Sequence, residues 1–279
     1  MDNYAVAGNP ISHSLSPWIH MRFAEQTGET LRYERLFVPE GEFDQIANRF
    51  FESGGHGLNI TLPCKLDAYN YAQRLTDRAK DAGAVNTLIK ENDGCLLGDN
   101  TDGQGLVTDL RTNLGWQIAG ARVLIIGAGG AVRGVIGPLL SERPAELVVS
   151  NRTVARAREL INHFGGGKTA LSATSLLELM ELSDFDLIIN ATSAGLSGTG
   201  VNLPDRLFAR NACAYDLAYG EGAEPFITAA KRLGVTRYSD GIGMLVEQAA
   251  ESFFRWRGVR PDSSAVLRAL QEKPKDEQN

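Results

Sequence analysis

The feature that most constrains the fold is a glycine-rich turn within VLIIGAGGAVRG, residues 123–134. Its apolar start indicates a buried strand, Gly127, Gly129 and Gly130 form the turn, and a helical pattern follows. A second strand pattern, AELVVSNRT, comes at the distance expected for a strand–helix–strand unit. The sequence therefore predicts a doubly wound parallel sheet, and glycines that serve only tight packing in such a sheet are the alternative interpretation.

Strand and helix patterns alternate along the whole chain, which predicts the α/β class. Before the turn, strands are predicted over 4–8, 31–38 and 57–62, helices over 16–28, 41–55 and 65–75, and a hairpin that turns at 92–94. After it, strands are predicted over 185–195 and 212–220. We expect an N-terminal α/β substrate domain (residues 1–101 plus 238–279) and a Rossmann-type doubly wound domain (residues 102–237).

Composition excludes several classes of protein. The chain has 279 residues, 43% hydrophobic and 22% charged, which is typical of a soluble globular protein. A net charge of −6 argues against nucleic acid as a partner. Without an apolar run of about 18 residues or a basic N-terminal segment, we expect neither a membrane span nor a secretory signal, and therefore a cytoplasmic protein.

The three cysteines, Cys64, Cys95 and Cys213, are widely spaced and form no CxxC or Cys/His cluster. This spacing predicts reduced thiols and no metal site.

The end of the second strand predicts which dinucleotide binds. An NAD site usually carries Asp or Glu about 20 residues after the glycines, to bind the ribose 2′-hydroxyl. Here the segment is SNRT, residues 150–153, without an acid. Arg152 could pair with a 2′-phosphate while Thr153 donates a hydroxyl, which favours NADP. A strand-end arginine that is merely solvated is the alternative.

Polar side chains cluster before the glycine turn. Ser14 and Ser16 directly precede a helix, where hydroxyls and free N–H groups can hold a carboxylate, although Ser16 would also make an ordinary N-cap. Asn59 and Thr61 alternate along a predicted strand, so both side chains point to one face and could hold a hydroxylated ligand. An exposed sheet face is the alternative.

Three further candidate site residues with a charged or amide side chain also lie before the glycine turn. Lys65 follows a strand and a proline in NITLPCK, and it is either a solvated cation or one aimed at a substrate. Asn86 lies in GAVNT, and Asp102 in GDNTDGQG begins a helix, where it could also be a cap.

These segments together resemble the shikimate dehydrogenase family over nearly the whole chain, in the family's order. The resemblance implies reversible NADPH-dependent reduction of 3-dehydroshikimate to shikimate in aromatic amino-acid biosynthesis, with the active site in the cleft between the domains. The segments are GNPISHSLSPWIH, NITLPCK, GAVNT, GDNTDGQG, GAGGAVRG, SNRT, NATSAG, YDLAYG and DGIGMLVEQAA.

The resemblance also implies individual roles, with Lys65 and Asp102 as the catalytic pair. The implied substrate ligands are Ser14, Ser16, Asn59, Thr61, Asn86, Tyr219 and Gln248. The implied cofactor residues are Gly127, Ala128, Gly129, Gly130 and Ala131 at the pyrophosphate, Ser150, Asn151, Arg152, Thr153, Val154 and Ala155 at the 2′-phosphate, Leu217 and Gly241 at the nicotinamide, and Asp77 near the reactive end.

Two rivals predict different residues. A quinate/shikimate dehydrogenase that uses NAD should carry an acid after the second strand, and its members often have threonine where this chain has Ser16. A non-catalytic NADP-sensing regulator should have lost the lysine and aspartate. We therefore expect a small-molecule substrate, no nucleic-acid or membrane partner, no metal, and a monomer or homodimer.

Overall fold

The computed structural model describes residues 1–164, 167–192 and 203–272, and these form two compact units. One unit combines Met1–Gly105 with the chain from Leu245 onward, and the other is Leu106–Met244. Both units have the α/β architecture that the sequence predicts, so the predicted fold class is confirmed.

The first unit is built on a mixed six-stranded sheet. Its strands are β1 (Asp2–Gly8), β2 (Leu31–Phe37), β3 (Gly55–Ile60), β4 (Arg74–Leu75), β5 (Thr87–Lys90) and β6 (Leu96–Asp99). They are ordered β2-β1-β3-β5-β6-β4, with β5 antiparallel to both of its neighbours. Its helices before the second unit are α1 (Ser16–Thr27), α2 (Phe43–Glu52), α3 (Lys65–Tyr71) and α4 (Asp77–Ala82).

Local sequence signals explain two of these elements. Pro17 lies in the first turn of α1, and Gly28 ends the helix with a left-handed φ of 70°. The predicted hairpin is confirmed, because β5 and β6 pair antiparallel around Gly94, whose φ is 85°. The N-cap prediction for Ser16 is wrong. Leu15 holds the cap position, and Ser16 is the first helical residue.

The second unit contains a six-stranded parallel sheet in the order β12-β11-β10-β7-β8-β9. The strands are β7 (Arg122–Ile126), β8 (Glu146–Asn151), β9 (Ala170–Ser175), β10 (Phe185–Asn190), β11 (Phe208–Asp216) and β12 (Arg237–Ser239). The order reverses direction between β7 and β10, the switch point at which doubly wound sheets bind ligands.

Helices complete the second unit and the C-terminal part of the first. They are α5 (Asp102–Thr108), α6 (Gly130–Ser141), α7 (Val154–Asn162), α8 (Leu176–Leu179), α9 (Glu224–Arg232), α10 (Ile242–Arg257) and α11 (Ser263–Glu272). A π-helical turn, Asp109–Asn113, continues α5. Both α5 and α10 begin in one unit and end in the other.

Strand alternation distributes the core residues over both sheets. In β7, Val123 and Ile125 join one apolar cluster of the second unit and Leu124 and Ile126 join the other, because successive side chains point to opposite faces. In β3 of the first unit, Leu58 and Ile60 enter the core, so Asn59 between them points to the opposite face. Asn59 is thereby the buried polar side chain of this strand, whose other polar residue, His56, is exposed.

Several predicted boundaries are wrong. The strand expected over 57–62 is β3, so Thr61 lies just beyond it, and the helix expected over 65–75 ends at Tyr71. The strand expected over 212–220 is β11 and ends at Asp216. The strand expected over 185–195 ends at Asn190, and residues 193–195 of the NATSAG segment lie outside the described residues.

Candidate active site

Lys65 and Asp102 meet at the centre of a polar cluster in the first unit. Lys65 is the first residue of α3 and Asp102 the first residue of α5. The Lys65 Nζ lies 2.5 Å from Asp102 Oδ2, and the side chains are only 11% and 7% exposed. The structure therefore places Lys65 in a mostly buried ion pair rather than on an open surface.

Asn86 fixes the second oxygen of the Asp102 carboxylate. Its Oδ1 accepts the backbone N–H of Thr101 at 2.8 Å, so its Nδ2 must be the end that faces Asp102 Oδ1, at 2.9 Å. The same Nδ2 lies 3.3 Å from Gln248 Oε1 on α10. Asn86, Asp102, Lys65 and Gln248 are thus brought together by hydrogen bonds.

Buried hydroxyl groups extend this cluster inward. Ser252 Oγ lies 2.8 Å from Thr87 Oγ1 and 3.2 Å from Thr101 Oγ1, and it accepts a hydrogen bond from Asn59 Nδ2 at 3.0 Å. These groups are almost fully buried. A satisfied buried network of this kind holds each member in a single orientation, because an unpaired polar group there would be costly.

An aromatic pair, Tyr33 and His20, packs next to Asn59. Tyr33 on β2 donates its hydroxyl to Asn59 Oδ1 at 2.8 Å, and its ring stacks on His20 of α1 with centroids 4.4 Å apart. Burial lowers the pKa of His20 to about 3, against a smaller opposing effect of the nearby Asn59 side chain, and neither ring nitrogen makes a hydrogen bond of good geometry with a described residue. His20 is therefore a neutral packing group at physiological pH.

Asp99 anchors the loop that carries Asp102. The fully buried carboxylate takes two hydrogen bonds from Arg78, both 2.6 Å, and one from Thr76 at 2.7 Å. Burial alone would raise the pKa of Asp99, but the bonds and charge of Arg78 outweigh it and hold the pKa below its usual value. Asn100 then accepts the Asp102 N–H at 3.2 Å, which starts α5 at the catalytic candidate.

Ser14 and Ser16 lie together at the start of α1. Ser14 Oγ donates to Ser16 Oγ at 3.2 Å and accepts the Ser16 N–H at 3.3 Å, although the cap residue of α1, Leu15, makes no side-chain capping bond. Arg35 on β2 holds this turn by donating from Nε and Nη2 to the Ser14 carbonyl, at 3.0 and 2.6 Å. Two hydroxyls at a helix N-terminus suit a carboxylate ligand.

The glycine turn of the second unit fits a dinucleotide. Gly127 has φ 118°, and a Cβ there would lie 2.8 Å from the Ala191 carbonyl oxygen, so only glycine fits between β7 and β10. A Cβ on Gly129 or Gly130 would meet no described atom within 4 Å, which leaves the backbone open to a ligand. With Ala128 and Ala131, these residues lead into α6, whose N-terminus favours phosphate.

The segment after β8 is partly open. Arg152, Thr153 and Ala155 are exposed, while Asn151 and Val154 are half-buried. Asn151 Nδ2 donates to the Thr153 carbonyl at 2.9 Å, which closes a tight turn into α7. Ser150 differs from its neighbours, because its side chain is fully buried at the end of β8 and its Oγ has no hydrogen-bond partner among the described residues.

The loop after β11 carries the remaining predicted cofactor residues. Leu217 and Tyr219 are half-buried there, and Gly241 N donates to the Ala218 carbonyl at 2.8 Å. A Cβ on Gly241 would overlap the Leu217 carbonyl, so this position admits only glycine. Asp216, which ends β11, accepts Asn190 Nδ2 at 2.7 Å and the Ala218 N–H at 2.9 Å.

Other predicted residues lie apart from these contacts. Asp77 is the first residue of α4 in the first unit, with a side chain 96% exposed and paired with Lys80 at 3.1 Å. Thr61 is half-buried after β3, with its methyl group so close to Gly8 that a Cβ there would overlap it. Cys64 is buried, and burial raises its thiol pKa to about 11.

Sequence reasoning missed several members of the cluster. Thr87 and Thr101 are chain neighbours of Asn86 and Asp102, and Ser252 lies four residues after Gln248, on the same helix face. That spacing was a usable signal for Ser252. The sequence carries no comparable signal for Tyr33, because a tyrosine in a strand usually packs in the core.

Within the described ranges, no group of three or more His, Cys, Asp or Glu side chains could hold a metal ion. None of the helices in that part of the chain is long and apolar enough to cross a membrane.

Family models match three segments of the chain. The shikimate dehydrogenase substrate binding domain matches residues 6–88, the shikimate/quinate 5-dehydrogenase model matches 110–198, and the shikimate 5′-dehydrogenase C-terminal domain matches 241–271.

Individual proteins resemble the chain over nearly its full length. Shikimate dehydrogenase (NADP(+)) of Alkalilimnicola ehrlichii is 54% identical, over 96% of this chain and 98% of that protein. The crystal structure of an Ael1 enzyme from Pseudomonas putida has a TM-score of 0.89 and 44% identity, covering 97% of this chain and 98% of that one. Shikimate 5-dehydrogenase from Thermus thermophilus, in complex with NADP(H) and shikimate, has a TM-score of 0.83 and 32% identity, covering 97% and 99%.

Proposed function

Because the chain belongs to the shikimate dehydrogenase family, we propose that it catalyses the reversible NADP-dependent reduction of 3-dehydroshikimate to shikimate, with Lys65 and Asp102 as its catalytic pair. It is an oxidoreductase that acts on a CH–OH group in aromatic amino-acid biosynthesis. The observation that carries the pair is the 2.5 Å contact between Lys65 and Asp102, in a cluster where Asn86 holds the other carboxylate oxygen.

The protein's own residues have one chemical task, which is to move a proton. When bound, NADP would supply the hydride acceptor for the carbinol carbon of shikimate, so the hydroxyl on that carbon would have to lose its proton. As a neutral amine, Lys65 takes this proton during oxidation and becomes the ammonium, and as the ammonium it returns the proton during reduction, so it serves as general base and general acid in turn. Asp102 keeps the amine beside the hydroxyl and accepts a hydrogen bond from it.

Other side chains orient the substrate. Ser14 and Ser16 bind its carboxylate at the N-terminus of α1, where free N–H groups add to the two hydroxyls. The proposed ligands to the ring hydroxyls and carboxylate are Asn59, Thr61, Asn86, Gln248 and Tyr219. Contacts with Tyr33 and Ser252 fix the amide of Asn59 within the cluster.

The cofactor is NADP, as the acid-free SNRT segment predicted. Residues 127–131 bind the pyrophosphate, and residues 150–155 bind the 2′-phosphate, with the exposed Arg152 pairing directly with it. Leu217 and Gly241 line the nicotinamide, and Asp77 lies toward the cofactor's reactive end. We place the enzyme in the cytoplasm as a monomer or homodimer, without nucleic-acid or membrane partners.

Steady-state kinetics with two substrates and two cofactors tests this proposal. Shikimate with NADP should give the highest kcat/KM of the four combinations of shikimate or quinate with NADP or NAD. A higher value for quinate with NAD would support the quinate/shikimate alternative instead. The absence of turnover with every combination, with NADP still bound, would support the regulatory alternative.

A substitution at Arg152 tests the cofactor assignment separately. Arg152→Asp removes a charge-assisted contact of about 1.5–3 kcal/mol and adds repulsion, so KM for NADP should rise far more than KM for NAD. Arg158→Asp makes the same charge change at an exposed position of α7 and should leave both values nearly unchanged. An Arg152→Asp enzyme that kept the NADP preference of the wild type would overturn the assignment.

A further inference from the structure

Arg35 occupies a position that no catalytic or binding role yet explains. It lies on β2 two residues after Tyr33, so both side chains point to the same face of the sheet. Tyr33 reaches Asn59, and Arg35 reaches the Ser14 carbonyl with two donors. From one face, strand β2 thus contacts both Asn59 of the polar cluster and the turn at Ser14.

The charge of Arg35 is not neutralised locally. Among the described residues, no carboxylate lies within ion-pair distance of Arg35, whereas Arg32 on the same strand pairs with Glu34 at 3.1 Å. The first turn of α1, Ser16-Pro17-Trp18-Ile19, carries no acid in its sequence. A guanidinium and a helix N-terminus therefore place positive charge around Ser14 without an internal counterion.

We propose that Arg35 is a specificity-determining residue that supplies this positive charge to the substrate carboxylate, and that its two bonds to the Ser14 carbonyl hold the guanidinium beside the Ser14 and Ser16 hydroxyls. The inference rests on the proposed function, in which Ser14 and Ser16 bind that carboxylate. Arg35 is exposed, so water and salt screen its charge and the effect on affinity is modest.

Two substitutions separate the charge from the hydrogen bonds. Arg35→Lys keeps the charge but loses the two-donor geometry, whereas Arg35→Gln keeps an N–H donor and loses the charge. If Arg35 acts through its charge, lysine retains most of the shikimate affinity and glutamine does not. If Arg35 only shapes the turn, lysine gives no rescue.

The experiment compares KM and kcat for shikimate in the wild type and three variants, at ionic strengths of about 0.05 M and about 0.5 M. Arg35→Gln should raise KM about fivefold at low salt, with kcat within about twofold, and Arg35→Lys should restore most of the affinity. Arg32→Gln removes a paired charge from the same strand and should change neither constant. High salt should raise KM of the wild type and nearly erase its advantage over Arg35→Gln.

The methyl ester of shikimate provides a second readout, because it lacks the negative charge. Wild type and Arg35→Gln should process the ester with equal kcat/KM. The proposal is overturned if the ester loses as much as the acid, if lysine and glutamine are equally poor, or if Arg35→Gln leaves the shikimate KM unchanged. If Arg35→Gln does not fold, Arg35→Lys decides through its salt dependence and its acid-to-ester ratio, which should match those of the wild type. Wild-type protein without shikimate turnover would instead overturn the proposed function.

Discussion

Asp102 uses both carboxylate oxygens for contacts within the protein. Oδ2 holds Lys65 at 2.5 Å and Oδ1 accepts Asn86 at 2.9 Å, so the carboxylate cannot rotate without breaking one bond. A lysine side chain is otherwise flexible, with four rotatable methylenes. In the proposed mechanism, a doubly held carboxylate that fixes the Lys65 ammonium would orient the proton-transfer group before substrate binds, which would lower the entropic part of the barrier.

The role of Lys65 can be tested against its neighbour in the chain. Lys65→Ala should lower kcat by at least about a hundredfold with little change in shikimate affinity, since general acid–base catalysis supplies about 10²–10⁴ in rate. Cys64→Ala is the control, because a buried thiol whose pKa is raised to about 11 stays protonated and takes no part in the reaction. Near wild-type turnover by Lys65→Ala between pH 6 and pH 10 would make the lysine a simple structural charge.

Asp216 makes the stability of the enzyme depend on pH. Burial raises its pKa to about 6, the charge of Asp240 adds to this, and the hydrogen bonds from Asn190 and Ala218 oppose it. A folded-state pKa above the unfolded value means that the native state binds the proton more tightly. The stabilisation is therefore complete below pH 3.8 and is lost as pH rises through about 6.

Urea unfolding of wild type and Asp216→Asn over pH 4–8 measures this effect. The variant cannot ionise at this position, so its stability relative to the wild type should improve with rising pH, by about 3 kcal/mol across the window. The substitution also alters the contact with Asn190, which should change the free energy of unfolding by the same amount at every pH. A difference that stays constant over the whole pH range would contradict the raised pKa.

At the scale of elements, the sequence predicted the long periodic segments and missed the short ones. The glycine turn, α6 and the hairpin carry strong local signals and were predicted correctly. Strands β4 and β9 and helices α4 and α8 were not predicted. Strand β4 has two residues and α8 has four, too few for any period to appear, so tertiary contacts decide their conformation.

The polar cluster around Lys65 and Asp102 was predictable only where a residue type carries chemistry by itself. Lys65, Asp102 and Asn86 were predicted because lysine, aspartate and asparagine side chains can bind or transfer protons by themselves. Thr87 and Ser252 are 165 positions apart in the chain, and nothing in their local sequence indicates that their hydroxyls lie 2.8 Å apart. Only the packing of α10 against β5 brings them together.

The π-helical turn after α5 creates a requirement on α10. It places Asp109 where Tyr215 donates to Oδ2 at 2.7 Å, and the Tyr215 hydroxyl accepts the Met244 N–H at 3.3 Å. A Cβ at Gly243 would overlap the buried Asp109 carboxylate. Glycine at this point of the helix is therefore explained by close approach, not by backbone conformation.

A pair of helical glycines tests this explanation. Gly243→Ala should lower the free energy of unfolding, measured by urea unfolding, by more than about 1 kcal/mol, because the Asp109 carboxylate must move away from its partners. Gly137→Ala in α6 would place its Cβ 3.4 Å from Phe164, an ordinary contact, and should be neutral or stabilise by up to about 1 kcal/mol through helix propensity. Equal effects from the two substitutions would show that the Asp109 contact is unimportant.

At the scale of the whole molecule, the first unit includes most of helix α10, which follows the second unit in the chain. Gln248, Ser252 and Trp256 lie four residues apart along one face of α10. They contact three consecutive residues of the β5 region: Asn86 by its side-chain amide, Thr87 by its hydroxyl at 2.8 Å, and Leu88 by its carbonyl at 3.1 Å. Successive turns of α10 thus hydrogen-bond to successive residues of the segment 86–88.

A chain that ends at Met244 should keep the second unit and lose the first. Without α10, Asn86, Thr87 and Leu88 lose hydrogen bonds that contribute about 0.5–1.5 kcal/mol each, and the burial of core residues such as Phe253 is lost as well. That sum is comparable with the whole stability of a domain, about 5–15 kcal/mol. Amide exchange in β3 and β5 should therefore approach the unfolded rate, while β7 and β8 stay protected and NADP still binds. A chain that ends at Gly258 restores α10 and should regain protection in β5, because the Gln248, Ser252 and Trp256 contacts are present again. Protected β3 and β5 amides in the shorter chain would show that the first unit folds without the helix that carries Gln248, Ser252 and Trp256.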